Sequence, residues 1–369
     1  MAKKIRVGVL FGGQSTEHEV SLQSARSIIQ NIDTEKYDVI PIGIDKQGSW
    51  FFLTREQFFL PFERDKLPAF EGKEGHLIPQ GIAAKDMFFS PCVLRESLDV
   101  IFPALHGPYG EDGTVQGLVK LANLPCVGSD VLGSALCMDK VIAKKLLRDA
   151  KLPIPAFQCF KLHDTIDIPS IVKELGLPLF VKPANNGSSV GINKVHREEE
   201  VLEAIEEAFL YDEKVILEEF IEGREIECSV LGDLEPIVSL PGEIIPQHEF
   251  YSYEAKYLDE DGAHFKLPAE LEAETVDSIQ KLAIQAFHLL ECDDMARVDF
   301  FLRKDGKLFL NELNTIPGFT TISLYPKLWE ISGIPYPDLI DRLIVLALKR
   351  HKRKAALRTD VNIVSCASN

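Results

Sequence analysis

Apolar and polar residues alternate in two short runs within residues 296–319, and this period of two predicts a pair of β-strands. The apolar side chains of the first run would share one face of the strand, with Arg297 and Asp299 on the other face. The dipeptide Asp305–Gly306 between the runs favours a two-residue hairpin turn, in which both central positions need positive φ angles. The pattern therefore predicts an antiparallel hairpin with charged residues on one face.

The predicted turn also sets the register of this hairpin, because it would pair Asp299 with Glu312 and Arg297 with Asn314. Facing residues have Cβ atoms about 4.5–5.5 Å apart, so the two carboxylates would repel each other unless one is protonated or a cation lies between them. Two carboxylates and an amide oxygen are suitable ligands for Mg²⁺. A solvent-exposed hairpin face with scattered charges is the alternative interpretation of this segment alone.

The N-terminal part of the chain has the pattern of a doubly wound α/β unit. Residues 5–11 are apolar and β-branched and end at two glycines, and a helical pattern follows over residues 20–32. Further strands are expected over residues 37–44 and 98–104. The glycines do not form the spacing GxGxxG, so a dinucleotide site is not predicted here.

Charged residues follow two of these predicted strands, at the edge where open α/β sheets bind ligands. Glu17 comes after the first strand, and His106 and Glu111 come after the strand over residues 98–104. The three side chains would therefore line one crevice. The alternative at each position is a structural role, such as that of an acid at a helix N-terminus.

The middle of the chain contains a loop of small residues, NNGSSVG, at positions 185–191. This loop joins two predicted strands, so it is not a P-loop, which precedes a helix. Its small residues would let backbone N–H groups approach a phosphate, and Lys182 would supply a positive charge beside it. A flexible hairpin without a ligand is the alternative.

Proline residues 153 and 155 mark a boundary in the pattern. After them, strands and helices alternate again to a final helix over residues 336–350. We expect three structural units: an N-terminal doubly wound domain over residues 1–137, a central α+β unit over residues 138–223 and a C-terminal α+β unit over residues 224–369.

Composition narrows the functional classes. The chain has 369 residues, of which 46% are hydrophobic and 26% charged, as is usual for globular proteins. No apolar run is long enough for a transmembrane helix or a signal peptide. Seven cysteines without a CxxC pair indicate reduced thiols in a cytoplasmic protein. The net charge of −17 argues against nucleic acid or an anionic membrane as a partner, but it does not exclude a phosphate ligand.

Nine motifs occur together and in order along almost the whole chain, and in this combination the chain resembles the D-alanine–D-alanine ligases of the ATP-grasp fold. The motifs are FGGQSTEHEVS (11–21), LHGPYGEDG (105–113), CMDK (137–140), VKPANNGSSVG (181–191), EEFIEGREIE (218–227), YEAKY (253–257), ARVDFF (296–301), NELNTIPG (311–318) and SLYP (323–326). The resemblance implies an α/β fold with an N-terminal open parallel domain and two α+β units that enclose ATP.

The resemblance also implies the reaction. Such enzymes join two D-alanine molecules with ATP, through D-alanyl phosphate, and release ADP and phosphate during the synthesis of peptidoglycan precursors. A related ligase with D-lactate or D-serine as acceptor is the alternative, and Tyr257 favours an amino acid over D-lactate. A nucleotide-binding regulator without turnover would be expected to lack Lys182, Arg297, Asp299 or Glu312, and all four are present.

By this resemblance, one set of residues would bind ATP and metal ions. The residues implied in ATP binding are Lys140, Lys182, Glu218, Glu219, Phe220, Ile221, Glu225, Lys256 and Asn311. The residues implied as ligands of two Mg²⁺ or Mn²⁺ ions are Asp299, Glu312 and Asn314.

A second set would bind the amino acids and promote the reaction. Glu17 would lie near the ammonium group of the first D-alanine and form a hydrogen-bonded triad with Ser188 and Tyr257. The second D-alanine would contact Ser323 and Leu324, with His106 and Glu111 beside the same pocket. Arg297 and the backbone N–H of Gly318 would stabilise an oxyanion. The resemblance further implies a homodimer.

Overall fold

The computed structural model describes residues 3–59, 91–187, 190–246 and 263–358, which form three β-sheets with helices packed against them. In chain order the elements are β1 (Ile5–Gly12), α1 (His18–Asn31), β2 (Tyr37–Ile44), β3 (Trp50–Phe52), α2 (Arg55–Phe58), α3 (Pro91–Ser97), β4 (Val100–Pro103), α4 (Thr114–Leu121), α5 (Val131–Met138), α6 (Lys140–Asp149), β5 (Phe157–Lys161), α7 (Ile168–Leu175), β6 (Leu179–Pro183), β7 (Asn193–Val195), a 3₁₀ turn (Glu198–Glu200), α8 (Val201–Ala208), β8 (Lys214–Glu219), β9 (Gly223–Gly232), β10 (Ile237–Val238), β11 (Gly242–Pro246), β12 (Ala263–Lys266), α9 (Ala273–Leu289), β13 (Asp294–Arg303), β14 (Leu308–Asn314), α10 (Leu324–Ile331) and α11 (Tyr336–Ala355).

The N-terminal sheet has the strand order β3-β2-β1-β4, with β1 parallel to both β2 and β4. Its strands are fully buried near their carboxyl ends, as apolar runs in parallel sheets predict. This arrangement confirms the predicted open α/β unit. The loops after β1 and β4 leave the sheet at one edge and carry Glu17, His106 and Glu111 to the same side.

The central sheet is antiparallel and has the order β5-β8-β6-β7. The C-terminal sheet is also antiparallel, with the order β12-β11-β9-β13-β14 and β10 paired with β9. Helix α9 covers one face of the C-terminal sheet, and its residues Ile279, Ala283 and Phe287 are buried there at helical spacing. The opposite face of β9 and β13 is therefore left to line a cavity.

The turn of the β13–β14 hairpin differs from the prediction. The N–H of Arg303 donates to the carbonyl of Lys307 at 3.0 Å, so the loop contains the three residues 304–306 and not two. Gly306 has a φ of 83°, which suits the last position of a three-residue hairpin loop. The predicted two-residue turn is wrong, because only the glycine of the Asp-Gly pair adopts a positive φ.

The register at the other end of the hairpin is as predicted, with Asp299 facing Glu312 and Arg297 facing Asn314. A bulge after Asp299 shifts the pairing by one residue, so that Phe300 faces Leu310. This shift cancels the additional residue of the loop. The charged face consequently has the predicted geometry although the turn does not.

Helix α11, near the C-terminal end of the described residues, packs against the N-terminal sheet. Leu339, Leu343 and Ala347 of α11 are buried in one hydrophobic cluster with Val7 and Phe102 of the N-terminal sheet. The division at residues 137 and 223 remains a prediction, and the packing adds that the C-terminal helix completes the N-terminal core. None of the helices in the described ranges has the length and hydropathy needed to cross a membrane.

Candidate active site

A cavity of about 600 Å³ opens between the three sheets. Every predicted site residue in the described ranges contributes to its wall, although the role of each remains a prediction. These residues are Glu17, His106, Glu111, Lys140, Lys182, Glu218, Glu219, Phe220, Ile221, Glu225, Arg297, Asp299, Asn311, Glu312, Asn314, Gly318, Ser323 and Leu324. The predicted residues Ser188, Lys256 and Tyr257 lie outside the described residues.

Glu218 and Lys182 line one wall of the cavity, and the buried Lys144 lies behind Glu218. The ammonium of Lys144 lies 2.7 Å from one carboxylate oxygen of Glu218, and that of Lys182 lies 2.6 Å from the other. Burial alone would raise the pKa of Glu218, but the two lysines outweigh it and lower this pKa to about 2. Burial lowers the pKa of Lys182, yet Glu218 and Glu312 raise it overall. Burial outweighs Glu218 at Lys144 and lowers the pKa of that ammonium. We call this surface, with its positive charge at Lys182, the lysine wall.

Lys140 reaches the lysine wall from the first turn of α6. Helices α5 and α6 are separate, because Asp139 between them is extended and caps α6 by accepting two backbone N–H groups, each at 3.1 Å. The ammonium of Lys140 donates to the carbonyl of Asn186 at 2.6 Å and lies 3.9 Å from Glu312. The helix break thus places a third lysine beside the small-residue loop.

Sequence reasoning missed Lys144. The residue lies between Val141 and Leu147 on the buried face of α6, and its ammonium also donates to the carbonyl of Asn311 at 3.0 Å. A lysine within an apolar stripe needs a buried partner, since an unpaired buried charge is costly. The helical pattern therefore contained the signal, but not the identity of the partner.

Aromatic residues close one end of the same wall. The rings of Phe180 and Phe220 are 6.1 Å apart, and the ammonium of Lys194 lies 4.2 Å from the centre of the Phe220 ring. The carboxylate of Glu219 accepts the backbone N–H of Ala156, the residue before β5, at 2.7 Å. Both carboxylate oxygens of Glu218 are paired with lysines. A flat base in this part of the cavity would therefore contact the ring and backbone of Phe220 and the side chain of Ile221.

The opposite wall carries three acids in a row across the C-terminal sheet. Asp299 on β13 faces Glu227 on β9 and Glu312 on β14, and directly facing residues project from the same face. Arg297 donates to Asp299 at 2.8 and 2.9 Å and lies 2.9 Å from Glu227. Burial disfavours a charged Arg297, but Asp299 and Glu227 hold its pKa well above the ordinary value. We call this surface the acid wall. The sequence analysis assigned no role to Glu227.

The donor set of the acid wall fits a hard divalent cation. The amide nitrogen of Asn314 donates to Asp299 at 3.1 Å, which leaves the amide oxygen as a ligand beside the carboxylates of Asp299 and Glu312. In the described part of the chain, no three His, Cys, Asp or Glu side chains form a metal centre by themselves. A Mg²⁺ ion here would therefore complete its coordination with water or substrate oxygens, as Mg²⁺ commonly does.

The N-terminal side of the cavity pairs two carboxyl groups. The N–H of Gly107 donates to Glu111 at 2.8 Å, and burial together with the nearby charge of Glu17 raises the pKa of Glu111 to about 8. A Cβ atom at Gly187 would lie only 2.5 Å from Glu17, so the small-residue loop contacts this carboxylate closely. The loop after β6 thus bridges the central and N-terminal units.

Gly318 occupies a position where a side chain would not fit. A Cβ atom there would lie 2.7 Å from the hydroxyl oxygen of Ser323, which itself accepts the N–H of Thr320 at 3.0 Å. The backbone at residues 316–320 therefore folds tightly against the start of α10. Residues 315–318 line the part of the cavity between the acid wall and His106.

Comparison with known protein families gives two matches. The family model described as "D-ala D-ala ligase N-terminus" matches residues 6–129, and the one described as "D-ala D-ala ligase C-terminus" matches residues 146–345. The D-alanine–D-alanine ligase of Oceanobacillus iheyensis is 51% identical over 360 residues, which cover 96% of this chain and 98% of that protein.

Solved structures agree with the family matches. The D-alanine–D-alanine ligase of Coxiella burnetii has a TM-score of 0.80 and 37% identity, covering 96% of this chain and 97% of that one. The VanG D-Ala:D-Ser ligase of Enterococcus faecalis has a TM-score of 0.75 and 37% identity, with coverages of 94% and 100%. A Bacillus anthracis D-alanine–D-alanine ligase complexed with ATP has a TM-score of 0.73 and 31% identity, with coverages of 96% and 100%.

Proposed function

The chain belongs to the family of D-alanine–D-alanine ligases, and we propose that it joins two D-alanine molecules in the cavity between the three sheets. ATP would be converted to ADP and phosphate, and the dipeptide would serve peptidoglycan precursor synthesis. The relatives named above and the motifs along the chain support this reaction. The site residues and their roles below are part of the proposal.

The opposed charges of the two walls carry the proposal. The lysine wall has three lysines to one glutamate, and the acid wall has three carboxylates to one arginine. A ligand with several negative charges, accompanied by divalent cations, complements both walls at once. ATP with two bound metal ions has this charge pattern, and Phe220 would support its base.

In the first step the carboxylate of the first D-alanine would take the terminal phosphoryl group of ATP, giving an acyl phosphate, which is a mixed anhydride, and ADP. A carboxylate is a poor electrophile, because its leaving group would be oxide, whereas D-alanyl phosphate has a good leaving group. Lys140 and Lys182 would hold the terminal phosphates of ATP, and Glu17 would bind the ammonium group of the first D-alanine. Two Mg²⁺ or Mn²⁺ ions, held by Asp299, Glu312 and Asn314, would reduce the repulsion between phosphates and substrate carboxylate.

The second step forms the amide bond. The deprotonated amine of the second D-alanine would attack the acyl phosphate, charge would develop on the former carbonyl oxygen, and phosphate would leave as the amide forms. Arg297 and the N–H of Gly318 would stabilise this oxyanion, and one such donor is typically worth about 2.7–4 kcal/mol. Ser323 and the N-terminus of α10 at Leu324 would bind the carboxylate of the second D-alanine.

A phosphate-release assay tests the function directly. We expect release from ATP with D-alanine but not with L-alanine, and D-alanyl-D-alanine as the product by mass spectrometry. D-serine and D-lactate, each supplied with D-alanine, test the alternative acceptors. Preferential formation of a mixed product would replace the main proposal with that alternative, and no D-alanine-dependent release would refute both.

Location and assembly belong to the proposal as well. The cysteines that the structure describes as free thiols, together with the use of ATP, support a cytoplasmic enzyme. The homodimer rests on the family resemblance alone. Light scattering on the purified protein would give a mass near twice the chain mass of 41.3 kDa if the dimer forms.

A further inference from the structure

Ser24 lies on α1 and is fully buried behind His106. Its hydroxyl oxygen is 2.9 Å from Nε2 of His106 and accepts the backbone N–H of Phe319 at 3.2 Å. Nδ1 of the same imidazole lies 3.2 Å from the carbonyl oxygen of Ile316. Three hydrogen bonds thus connect a helix of the N-terminal unit with residues 316–319, which follow the acid wall along the chain.

The direction of each of these hydrogen bonds can be deduced. The carbonyl of Ile316 can only accept, so Nδ1 of His106 carries the hydrogen. Burial lowers the pKa of His106, which keeps the imidazole neutral and leaves Nε2 as an acceptor. Ser24 must therefore donate its hydroxyl hydrogen to Nε2 while it accepts the N–H of Phe319. Each of the three hydrogen bonds therefore has one possible direction, because reversing any of them would break another.

The two backbone groups held in this way flank the proposed oxyanion donor. The carbonyl of Ile316 and the N–H of Phe319 lie on either side of Pro317 and Gly318, and the carbonyl of Phe319 accepts the hydroxyl of Tyr336 at 2.7 Å. Because peptide groups are planar, fixing these neighbours restricts the orientation of the Gly318 N–H between them. Donors to a developing oxyanion are effective only when held in position before the reaction.

We infer that Ser24 is a positioning residue, which fixes the tautomer of His106 and holds residues 316–319 so that the Gly318 N–H and Ser323 face the second D-alanine. This inference rests on the proposed ligase function. His106 then acts by orientation, since both of its ring nitrogens are engaged in the hydrogen bonds to Ser24 and Ile316. The N-terminal unit contributes to catalysis through the C-terminal loop that it holds.

Kinetics of Ser24→Ala test the inference. Loss of the hydroxyl leaves Nε2 of His106 without a donor and Phe319 without an acceptor. Supporting groups of this kind typically contribute about 10–100-fold, and we expect a fall of this size in kcat/KM for the second D-alanine. The KM for ATP should change by less than about twofold, because the lysine wall is untouched. Ser24→Cys, whose slightly larger side chain keeps a weak donor, should recover part of the loss.

Ser21→Ala is the matched control. Ser21 lies one turn earlier on α1, is equally buried and also bridges two backbone groups, accepting the N–H of Gly12 and donating to the carbonyl of Ala104. It does not belong to the hydrogen bonds around His106. We expect a comparable loss of stability in urea but an unchanged KM for D-alanine. Equal kinetic changes in the Ser21 and Ser24 variants would overturn the inference.

Imidazole ¹⁵N NMR gives a second result that does not depend on activity. We expect His106 in the wild-type protein to be neutral with hydrogen on Nδ1, and its Nε2 resonance to shift in Ser24→Ala. Hydrogen on Nε2 in the wild type, or wild-type kinetics in Ser24→Ala, would overturn the inference. A wild-type protein that fails to ligate D-alanine would refute the proposed function instead, while the NMR result would still decide the hydrogen-bond pattern.

Discussion

The two charged walls of the cavity are opposite in both composition and construction. On the lysine wall, Lys144 and Lys182 surround the single carboxylate of Glu218. On the acid wall, Arg297 bonds Asp299 and Glu227, with Glu312 on the next strand. Each wall thus has an excess of one sign, and the two walls approach each other where the ammonium of Lys140 lies 3.9 Å from Glu312.

The difference shows how two oppositely charged walls indicate a ligand. Buried charge is costly unless opposite charge lies nearby, and a polyanion with its bound cations would present opposite charge to both walls. The lysine wall is built by packing between α6, β6 and β8, whereas the acid wall is built by strand register within one sheet. The two walls should therefore respond differently to substitution.

Removal of the central carboxylate of the lysine wall should have the largest effect. Glu218→Gln removes the carboxylate that contacts both buried lysines, and breaking a buried pair typically costs about 3–5 kcal/mol. Lys144→Met should cost less, because Glu218 keeps Lys182 as its partner. Urea unfolding followed by circular dichroism measures both. A larger cost for Lys144→Met would contradict the central position assigned to Glu218.

The next largest effect is expected on the acid wall. Glu312→Gln should lower turnover by roughly 10²–10³-fold, which is the usual loss on removing a group that stabilises charge in a transition state. It should also raise the Mg²⁺ concentration needed for half-maximal rate. Glu222→Gln, at an exposed acid paired with Lys304, is the control and should leave both values unchanged. An unaltered Mg²⁺ dependence in Glu312→Gln would argue against the metal assignment.

Two carboxyl groups of the cavity should respond to pH in opposite directions. Glu218 has its pKa lowered from 4.5 to about 2, so its contribution to stability is complete above pH 4.5 and is lost as the pH falls towards 2. Glu111 has its pKa raised from 4.5 to about 8. Between these values the unfolded chain ionises while the folded state keeps the proton, so wild-type stability falls as the pH rises towards 8.

Glu111→Gln isolates the second effect, because glutamine resembles the protonated acid. The stability of wild type relative to this variant should decline from pH 4.5 to 8 and then level off, in unfolding experiments at matched ionic strength. A pH-independent difference would mean that Glu111 ionises in the folded protein with an ordinary pKa. Below pH 4.5, the stability of wild type relative to Glu218→Gln tests the lowered pKa of Glu218 in the same way.

The smallest effect is expected at the hairpin turn. Gly306→Ala places a side chain at a φ of 83°, where no atom lies within 4 Å of the new Cβ, so the cost is backbone strain of about 1–2 kcal/mol. The bulge after Asp299 separates the turn from the acid wall. Turnover and Mg²⁺ dependence should therefore stay at wild-type values in steady-state assays, and a change in either would show that the turn controls the register.

The hairpin also shows where sequence reasoning succeeded and where it failed. The pairing of Asp299 with Glu312 followed from alternation, because side chains in a strand project alternately to the two faces. The turn was wrong by one residue, and the bulge was not foreseen, because several loop lengths suit the same Asp-Gly pair. The two departures cancel in this structure, so the correct pairing was reached from an incorrect turn.

The contacts that sequence reasoning missed are all between distant segments. Glu227 joins the acid wall only because β9 is the neighbour of β13, and nothing in the local pattern of either strand selects that neighbour. Lys144 on α6 could be recognised as a buried charge, but its partner Glu218 lies on β8, more than 70 residues further along the chain. Ser24 and Phe319 are 295 residues apart in the chain, and their hydrogen bond appears only when the last helix packs on the N-terminal sheet.

Residue types and periodicity along the chain predicted the α/β fold, the charged face of the hairpin and, through the motifs, the family and the residues that line the cavity. These features depend on short-range periodicity and on residue types at fixed spacing, which the chain carries before it folds. Only the tertiary structure decided which charges share a wall, which loop is held by which helix and which proton each buried group keeps. Those properties depend on desolvation and on partners from other elements, and both arise only when the three sheets come together.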